Sequence, residues 1–348
     1  MTLFSTPPKS ICILRLSAIG DVCNALSAVQ QIQRYWKDTQ ITWIVGKTEM
    51  QLLQNVKGIR FIPYDKKNGW KGILALWKTL RGEHFDVLLN MQTALRASMI
   101  SLGIRATYKV GFSKNRAREG QWLFTNRKIN EPTNPHVLAG FWAFLEYLGL
   151  PVETPKWDLA IGEKEISAVR QFIDPNRKNL LISPCSSKSE KDWLPARYAE
   201  IANIAHQQNI NVILCGSSSE REQAIIQKIL SLCEFQPVDA SGKTSLLELA
   251  ALIGLADLVL TPDSGPAHIA TAQGTPVIGL YAYHNPLRTG PYNNLPEVVS
   301  VYEQNVQQEF GKPSSELPWA TKLKEKNLMA QITVDSVVAI MKQIGFLK

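Results

Sequence analysis

Residues 11–37, ICILRLSAIGDVCNALSAVQQIQRYWK, decide how the first half of this chain folds. They open on an apolar run, 11–16, of the kind that fills a strand buried on both faces. A loop of small residues follows, and then Val22, Ala25, Leu26, Val29 and Ile32 recur at helical spacing, which predicts a helix over 21–37. A strand that feeds a long helix through a tight loop opens a parallel α/β unit, because a parallel neighbour is reached only by a crossover.

The alternation continues outward. Further strands are predicted at 41–45, 59–63, 86–90 and 108–112, with helices at 70–81 and 135–148 between and after them. A proline-spaced stretch, GLPVETPK at 149–156, breaks the pattern and reads as a linker and natural hinge. The pattern then restarts, with strands at 180–183, 211–215, 237–239, 257–261 and 276–281 and helices at 195–208, 220–232, 245–255 and 266–273. Residues 304–326, with Pro313 and Pro318, read as loop, and 333–344 as a closing helix. The fold class is therefore α/β, two doubly wound domains: 1–155, 156–330, and a terminal helix within 331–348 expected to pack back on the first domain.

Composition limits the function classes. The chain has 348 residues, 45% hydrophobic and 20% charged, which is ordinary for a folded soluble protein. The most apolar stretch, 246–260, carries Glu248 and Asp257, and it falls short of the ~18 uninterrupted apolar residues a membrane helix needs. Pro7 and Pro8 stand where a secretory signal would have its apolar run, so a cytoplasmic protein is expected. Five cysteines, none in a CxxC pair, read as reduced apolar packing residues. The net charge of +8 fits an anionic partner.

Nucleotide motifs are informative by absence. There is no GxGxxG, and Gly242-Lys243-Thr244 ends like a P-loop whose first glycine would fall on Pro237. No HExxH, ExxH pair or DxD offers metal ligands, so no metal or other cofactor is expected. Any diphosphate would be neutralised by helix N-termini, hydroxyls and basic side chains.

Three loops at predicted strand ends could do this. In Ser17-Ala18-Ile19-Gly20-Asp21-Val22, Asp21 is either a helix cap or a general base for a hydroxyl. The loop after the 180–183 strand holds Ser186, Ser187 and Lys191, a polar surface turn or a phosphate site. In Thr261-Pro262-Asp263-Ser264-Gly265-Pro266-Ala267-His268, a buried strand runs into a helix whose free amides and His268 would suit a diphosphate. Asp263 or Ser264 as a plain N-cap, with His268 as a packed histidine, is the other reading.

These pieces, LRLSAIGDVCNALSAV, SSKSEKDW, GKTSLLELAALI and TPDSGPAHIATAQGTPVIGLY, are spread in order along nearly the whole chain. Together they resemble glycosyltransferase family nine, the bacterial heptosyltransferases of lipopolysaccharide inner-core assembly. The resemblance implies the GT-B fold, two Rossmann-like domains facing a cleft, the first binding acceptor and the second donor. It implies ADP-L-glycero-D-manno-heptose as co-substrate donor and Kdo of lipid A, with or without a phosphate, as acceptor, at the cytoplasmic face of the inner membrane.

Position by position, the resemblance makes Asp21 the catalytic base. Ser186, Ser187 and Lys191 match the phosphate loop, with serines where threonines are common. Glu220 matches a ribose contact and Thr244 an adenine-pocket residue, usually bulkier and apolar. Asp263, Ser264, Gly265 and His268 match the D-[ST]-G-x-x-H signature. The implied reaction is inverting and metal-independent.

For the anionic acceptor the first half offers Lys66, Lys67 and Lys71 around Asn68-Gly69, then Arg96, and Arg118 in a loop with Lys114 and Arg116. Lys66, Lys67, Lys71, Arg96 and Arg118 are the expected acceptor contacts; a solvated basic face is the plain alternative. Trp70 and Trp77, seven apart, read as a core stripe more readily than as a lipid-facing pair. Three other readings remain: a family-nine enzyme with a different acceptor, such as heptosyltransferase II, a nucleotide-sugar epimerase, and a non-enzymatic anion binder. Basic residues not interleaved with aromatics argue against nucleic acid, and a monomer is expected.

Overall fold

Ile11 to Leu14 are completely buried, and they make β1 (Ser10–Leu14) an inner strand of the first sheet. In this computed structural model, which describes residues 2–348, the chain divides into two units, the first ending at Ala160 and the second running from Ile161 to Lys348. The first sheet adds β2 (Gln40–Gly46), β3 (Ile59–Tyr64), β4 (Phe85–Asn90), β5 (Ala106–Gly111) and β6 (Arg127–Lys128). Their order is β3-β2-β1-β4-β5-β6, and every pairing is parallel.

The second unit repeats this plan. β7 (Asn179–Ile182), β8 (Asn211–Leu214), β9 (Val238–Asp239), β10 (Leu258–Pro262), β11 (Val277–Tyr281) and β12 (Val299–Ser300) lie in the order β12-β11-β10-β7-β8-β9, again all parallel. Counted from its own first strand, each sheet has the doubly wound order 3-2-1-4-5-6. The order in which strands are added reverses between β1 and β4, and between β7 and β10. Ligands of such sheets sit outside the strand carboxyl ends at those switch points.

Several elements differ from the sequence reading. β6 and β12 have two residues each, too few for an alternating pattern to show. The helices Lys47–Leu53, Leu95–Leu102 and Glu163–Val169, seven or eight residues long, have too few turns for a helical period to stand out. The expected loop at 304–326 begins inside a helix, Tyr302–Phe310, whose Tyr302 and Val306 enter the core between mostly polar residues. The closing helix, Val334–Gln343, buries Val337 and Met341 in the second unit's own core.

The 149–156 stretch is not a free hinge either. Gln31 Nε2 donates to the Pro151 carbonyl at 2.5 Å, and Gln30 exchanges two hydrogen bonds with the Asp158 backbone. Trp157 Nε1 donates to the Cys23 carbonyl at 2.8 Å. The segment is thereby stapled to the helix Ile19–Tyr35. The boundary falls beyond it, at Ala160, a non-glycine residue with φ of +51°.

Candidate active-site residues in the two units

In the first unit the chain leaves β1 and enters the helix Ile19–Tyr35 with Asp21 in its first turn. Asp21 Oδ2 accepts the Ala18 N–H at 3.3 Å and lies 2.5 Å from Nη2 of Arg15. Arg15 is itself buried: Nη1 donates to the Met91 carbonyl at 2.6 Å, and the guanidinium stands 5.3 Å over the Phe141 ring. Gln92, just after β4, completes the switch point by accepting the N–H of Leu16 at 2.6 Å and of Ser17 at 3.3 Å. The capping role of Asp21 is therefore real, yet its side chain remains 31% exposed, so a hydroxyl can reach it. Sequence reasoning passed over Arg15. The available signal was a lone cation inside an apolar strand run, which needs a buried partner.

A cavity of about 670 Å³ adjoins this loop. It is lined by Ser17 and Gln92 from the switch point and by Lys66, Lys67 and Arg96, three of the five expected acceptor contacts. Asp65 accepts the Lys67 N–H at 2.9 Å, which fixes the turn that presents both lysines. Lys71 and Arg118 are exposed and not part of this lining. Arg116 proves structural: it is buried and donates to Glu131, to His136 O at 2.9 Å and to Asn134 O at 2.6 Å.

Lys47 and Glu49 also line the cavity, and neither was singled out from sequence. Burial raises the Glu49 pKa above the ordinary carboxylate value, against the pull of its own backbone N–H and the charges of Lys66 and Arg15. Gly46 is required here, since a Cβ would stand 2.1 Å from Glu49 Oε2 and 2.4 Å from the Leu16 carbonyl. Another cavity, about 480 Å³, opens at the strand amino ends around Ser10, Gln40 and His84. Its Arg60 is already held by Glu83 through two 2.8 Å bonds.

In the second unit the switch point carries a bonded set. Lys191 Nζ donates to the Asp263 carbonyl at 2.9 Å and to Asp263 Oδ2 at 3.0 Å, and His284 Nδ1 lies 2.6 Å from the same Oδ2. All three side chains are 12–15% exposed. Burial alone would raise the Asp263 pKa, but the His284 hydrogen bond and the Lys191 charge outweigh it and hold the carboxyl well below the usual range. His284 was missed from sequence, and its only signal is its place just past the carboxyl end of β11.

Beside this set the helix Gly265–Gln273 begins. Its N-cap, Ser264, makes no side-chain cap; its hydroxyl bonds Thr261 Oγ1 at 2.8 Å instead. The amides of Gly265 and Ala267 thus stay without an intrahelical acceptor or a capping oxygen, which is the arrangement that receives anions. His268 is buried on the next turn.

The middle loop is also ordered by its own bonds. Ser186 N–H donates to Asp192 Oδ1 at 2.6 Å and Ser186 Oγ to the Lys188 carbonyl at 2.6 Å, while Ser187 is exposed. Arg221, another residue missed from sequence, donates to Asp192 and to the Ser186 carbonyl. Glu220 starts the helix after β8, and Thr244 follows β9. A backbone bond from Gly242 N–H to the Gly216 carbonyl, 2.9 Å, ties those two loops together. Lys191, Asp263, Ser264 and Gly265 therefore gather at the switch point, with Ser186, Ser187, Glu220 and Thr244 on the adjoining strand ends. Cys185 is no nucleophile: burial first, then the charges of Asp192 and Glu222, push its thiol up to about 12. Among the described residues no three His, Cys, Asp or Glu side chains form a metal-binding group, and no helix is long and apolar enough to cross a membrane.

The model of glycosyltransferase family 9 (heptosyltransferase) matches residues 73–320. The lipopolysaccharide core heptosyltransferase OpsX of Haemophilus influenzae is 66% identical over 345 residues, 99% of each chain. The crystal structure of a family 9 glycosyl transferase from Veillonella parvula matches with a TM-score of 0.80 at 21% identity, covering 98% of both chains. Heptosyltransferase WaaC of Escherichia coli, solved with ADP, matches with a TM-score of 0.74 at 18% identity, covering 96% of this chain and 99% of its own. The fold is GT-B.

Proposed function

Because this chain belongs to glycosyltransferase family 9, the heptosyltransferases, we propose that it is a lipopolysaccharide core heptosyltransferase that moves heptose from ADP-L-glycero-D-manno-heptose to a Kdo residue of lipid A. The observation that carries this reading is the 66% identity, across 99% of both chains, to an enzyme named for lipopolysaccharide core heptosyl transfer. The geometry of each unit supports a division of labour, with donor handled by residues 161–348 and acceptor by residues 2–160.

On the donor side, Lys191 and the amides of Gly265 and Ala267 meet the diphosphate, joined by the Ser186 and Ser187 hydroxyls and by His268. Asp263, held by Lys191 and His284, fixes the lysine rather than reacting. Glu220 contacts the ribose and Thr244 lines the adenine pocket. On the acceptor side, Lys66, Lys67 and Arg96 hold the anionic sugar acid in the cavity they line.

Transfer is inverting. The acceptor hydroxyl gives its proton to the Asp21 carboxylate, its oxygen forms a bond to the anomeric carbon, and the bond from that carbon to the β-phosphate oxygen breaks on the opposite face. The electron pair leaves with ADP, whose growing charge meets fixed donors already in place. Arg15 orients Asp21 and cannot itself take the proton. The enzyme works in the cytoplasm, as a monomer, at the inner face of the inner membrane.

The test is a transfer assay read by mass spectrometry. Purified protein receives ADP-heptose with Kdo-lipid A, with and without a phosphate on Kdo, and separately with an acceptor already carrying one heptose. A heptose-sized gain on either Kdo acceptor is expected. No gain on them, from folded protein that binds ADP, would refute the proposed acceptor, and a gain only on the heptosylated acceptor would reassign it to the next step.

A further inference from the structure

The basic charge of this chain is concentrated. Residues 66–82 and 91–118 together carry eleven Lys and Arg and no Asp or Glu. Against a net charge of +8 for the whole chain, the remainder is slightly acidic. The same segments contain the helices Gly69–Thr79 and Leu95–Leu102. These helices pack through Trp77, whose Nε1 donates to the Ile100 carbonyl at 2.9 Å.

Outside that contact, large apolar side chains stand in solvent. Trp70 is 53% and Leu74 49% exposed on the first helix, and Leu95 and Leu102 are 50% and 53% exposed on the second. Trp70, Leu74 and Trp77 share one helical face, with Lys71 and Lys78 one position further round. A third projection is the single turn Gln121–Leu123, where Trp122 is 62% and Leu123 76% exposed. This turn is anchored: buried Gln121 donates through Nε2 to the carbonyls of Asn90 at 2.9 Å and Gln92 at 3.0 Å. Glu119, just before it, accepts the Leu95 N–H at 2.6 Å and ties the turn to the start of the second helix.

Single exposed leucines are ordinary, but six large apolar side chains on linked elements of one unit, inside a field of cations, mark a binding face. We propose that this face docks on an anionic phospholipid bilayer. The tryptophans and leucines enter the interfacial layer, and the exposed cations among them, such as Lys71, Lys78, Arg81 and Arg105, meet head-group phosphates. Leucines at the tips favour lipid over nucleic acid, whose bases stack on aromatic rings. The inference rests on the reading of a lipid-anchored acceptor. Lys66 and Lys67 immediately precede the first helix and Arg96 lies on the second, so the cavity opens beside the docking face.

The experiment is flotation of the full chain with phosphatidylcholine vesicles made with and without phosphatidylglycerol. Wild-type protein is expected to float with the anionic vesicles only, and less as salt rises. The combined variant Trp70→Ser, Leu74→Ser, Trp122→Ser and Leu123→Ser is expected to bind them at least ~10-fold more weakly, with its melting temperature and its transfer to detergent-dispersed acceptor unchanged. A second variant, Lys78→Glu with Arg105→Glu at exposed positions, keeps the test open if the first does not fold, and should weaken binding in the same direction. Wild type that stays in solution, or variants that float as well as wild type, would overturn the docking face. Flotation needs no sugar donor, so failure of heptosyl transfer would be read separately.

Discussion

The two switch points use charge in opposite ways. In the second unit Lys191 and His284 are nearly buried and both bonded to the equally buried Asp263, a set fixed by its own contacts. In the first unit Lys66, Lys67 and Arg96 are exposed around a cavity of about 670 Å³, and Asp21 forms a tight pair with Arg15 beside it. Donors for a diphosphate gain from being fixed in place, because a preorganised dipole costs no reorganisation when charge develops. A sugar acid carried on a lipid varies in position, and solvated long side chains can follow it.

The contrast can be broken first at Lys191. Lys191→Ala leaves the Asp263 carboxylate with His284 alone in a buried place, which should cost about 3–5 kcal/mol in chemical denaturation and abolish measurable ADP binding. Asp263→Asn tests the same pair through pH. The folded carboxyl titrates below its unfolded value of about 3.9, so its contribution is complete at neutral pH and lost as pH falls through the lower folded value. The stability gap between wild type and Asp263→Asn should therefore be widest near pH 7 and close in acid, as read by thermal melts across that range. A gap that widens in acid would contradict the pairing.

Smaller effects are expected in the first unit. A Cβ on Gly103 would stand 2.3 Å from the Trp77 ring, so Gly103→Ala should displace the indole and cost about 1–3 kcal/mol in a denaturant melt. Single changes at Lys66, Lys67 or Arg96 to Ala should each raise the acceptor KM by ~3–10-fold, the scale of exposed ion pairs up to a charge-assisted hydrogen bond, with ADP affinity unchanged. If one of these three equals the Lys191 effect, the acceptor site is as rigid as the donor site and the contrast fails.

How much of this was legible in the sequence follows the same division. The two α/β units could be read because central strands such as 11–14 and 180–182 are buried on both faces and so uniformly apolar. Asp263, Ser264 and Gly265 stood out as candidates because a buried strand that turns sharply into a helix admits few residue types there, and the structure brings Lys191 to the same point. His284 and Arg221 were not, since neither stands in a motif of its own and each meets its partner only where the loops of two neighbouring strands come together. The residues proposed for the acceptor were legible only as a basic field, and the structure places Lys66, Lys67 and Arg96 around a cavity that Lys71 and Arg118 do not line. The tethering of 149–158 was not legible because prolines mark irregular backbone, whereas Gln30, Gln31 and Trp157 decide whether that backbone is tied down.

One measurement addresses the centre of the account: the transfer rate and the ADP affinity of Asp21→Ala, taken side by side with wild type. With Asp21 as the base in one unit and ADP held in the other, kcat should fall by ~10²–10⁴-fold while ADP affinity stays as in wild type, and the melting temperature should drop because the helix cap and the partner of buried Arg15 are lost. Equal losses in rate and ADP binding, or a rate that hardly changes, would make Asp21 a helix cap paired with Arg15 and leave the reaction without its base.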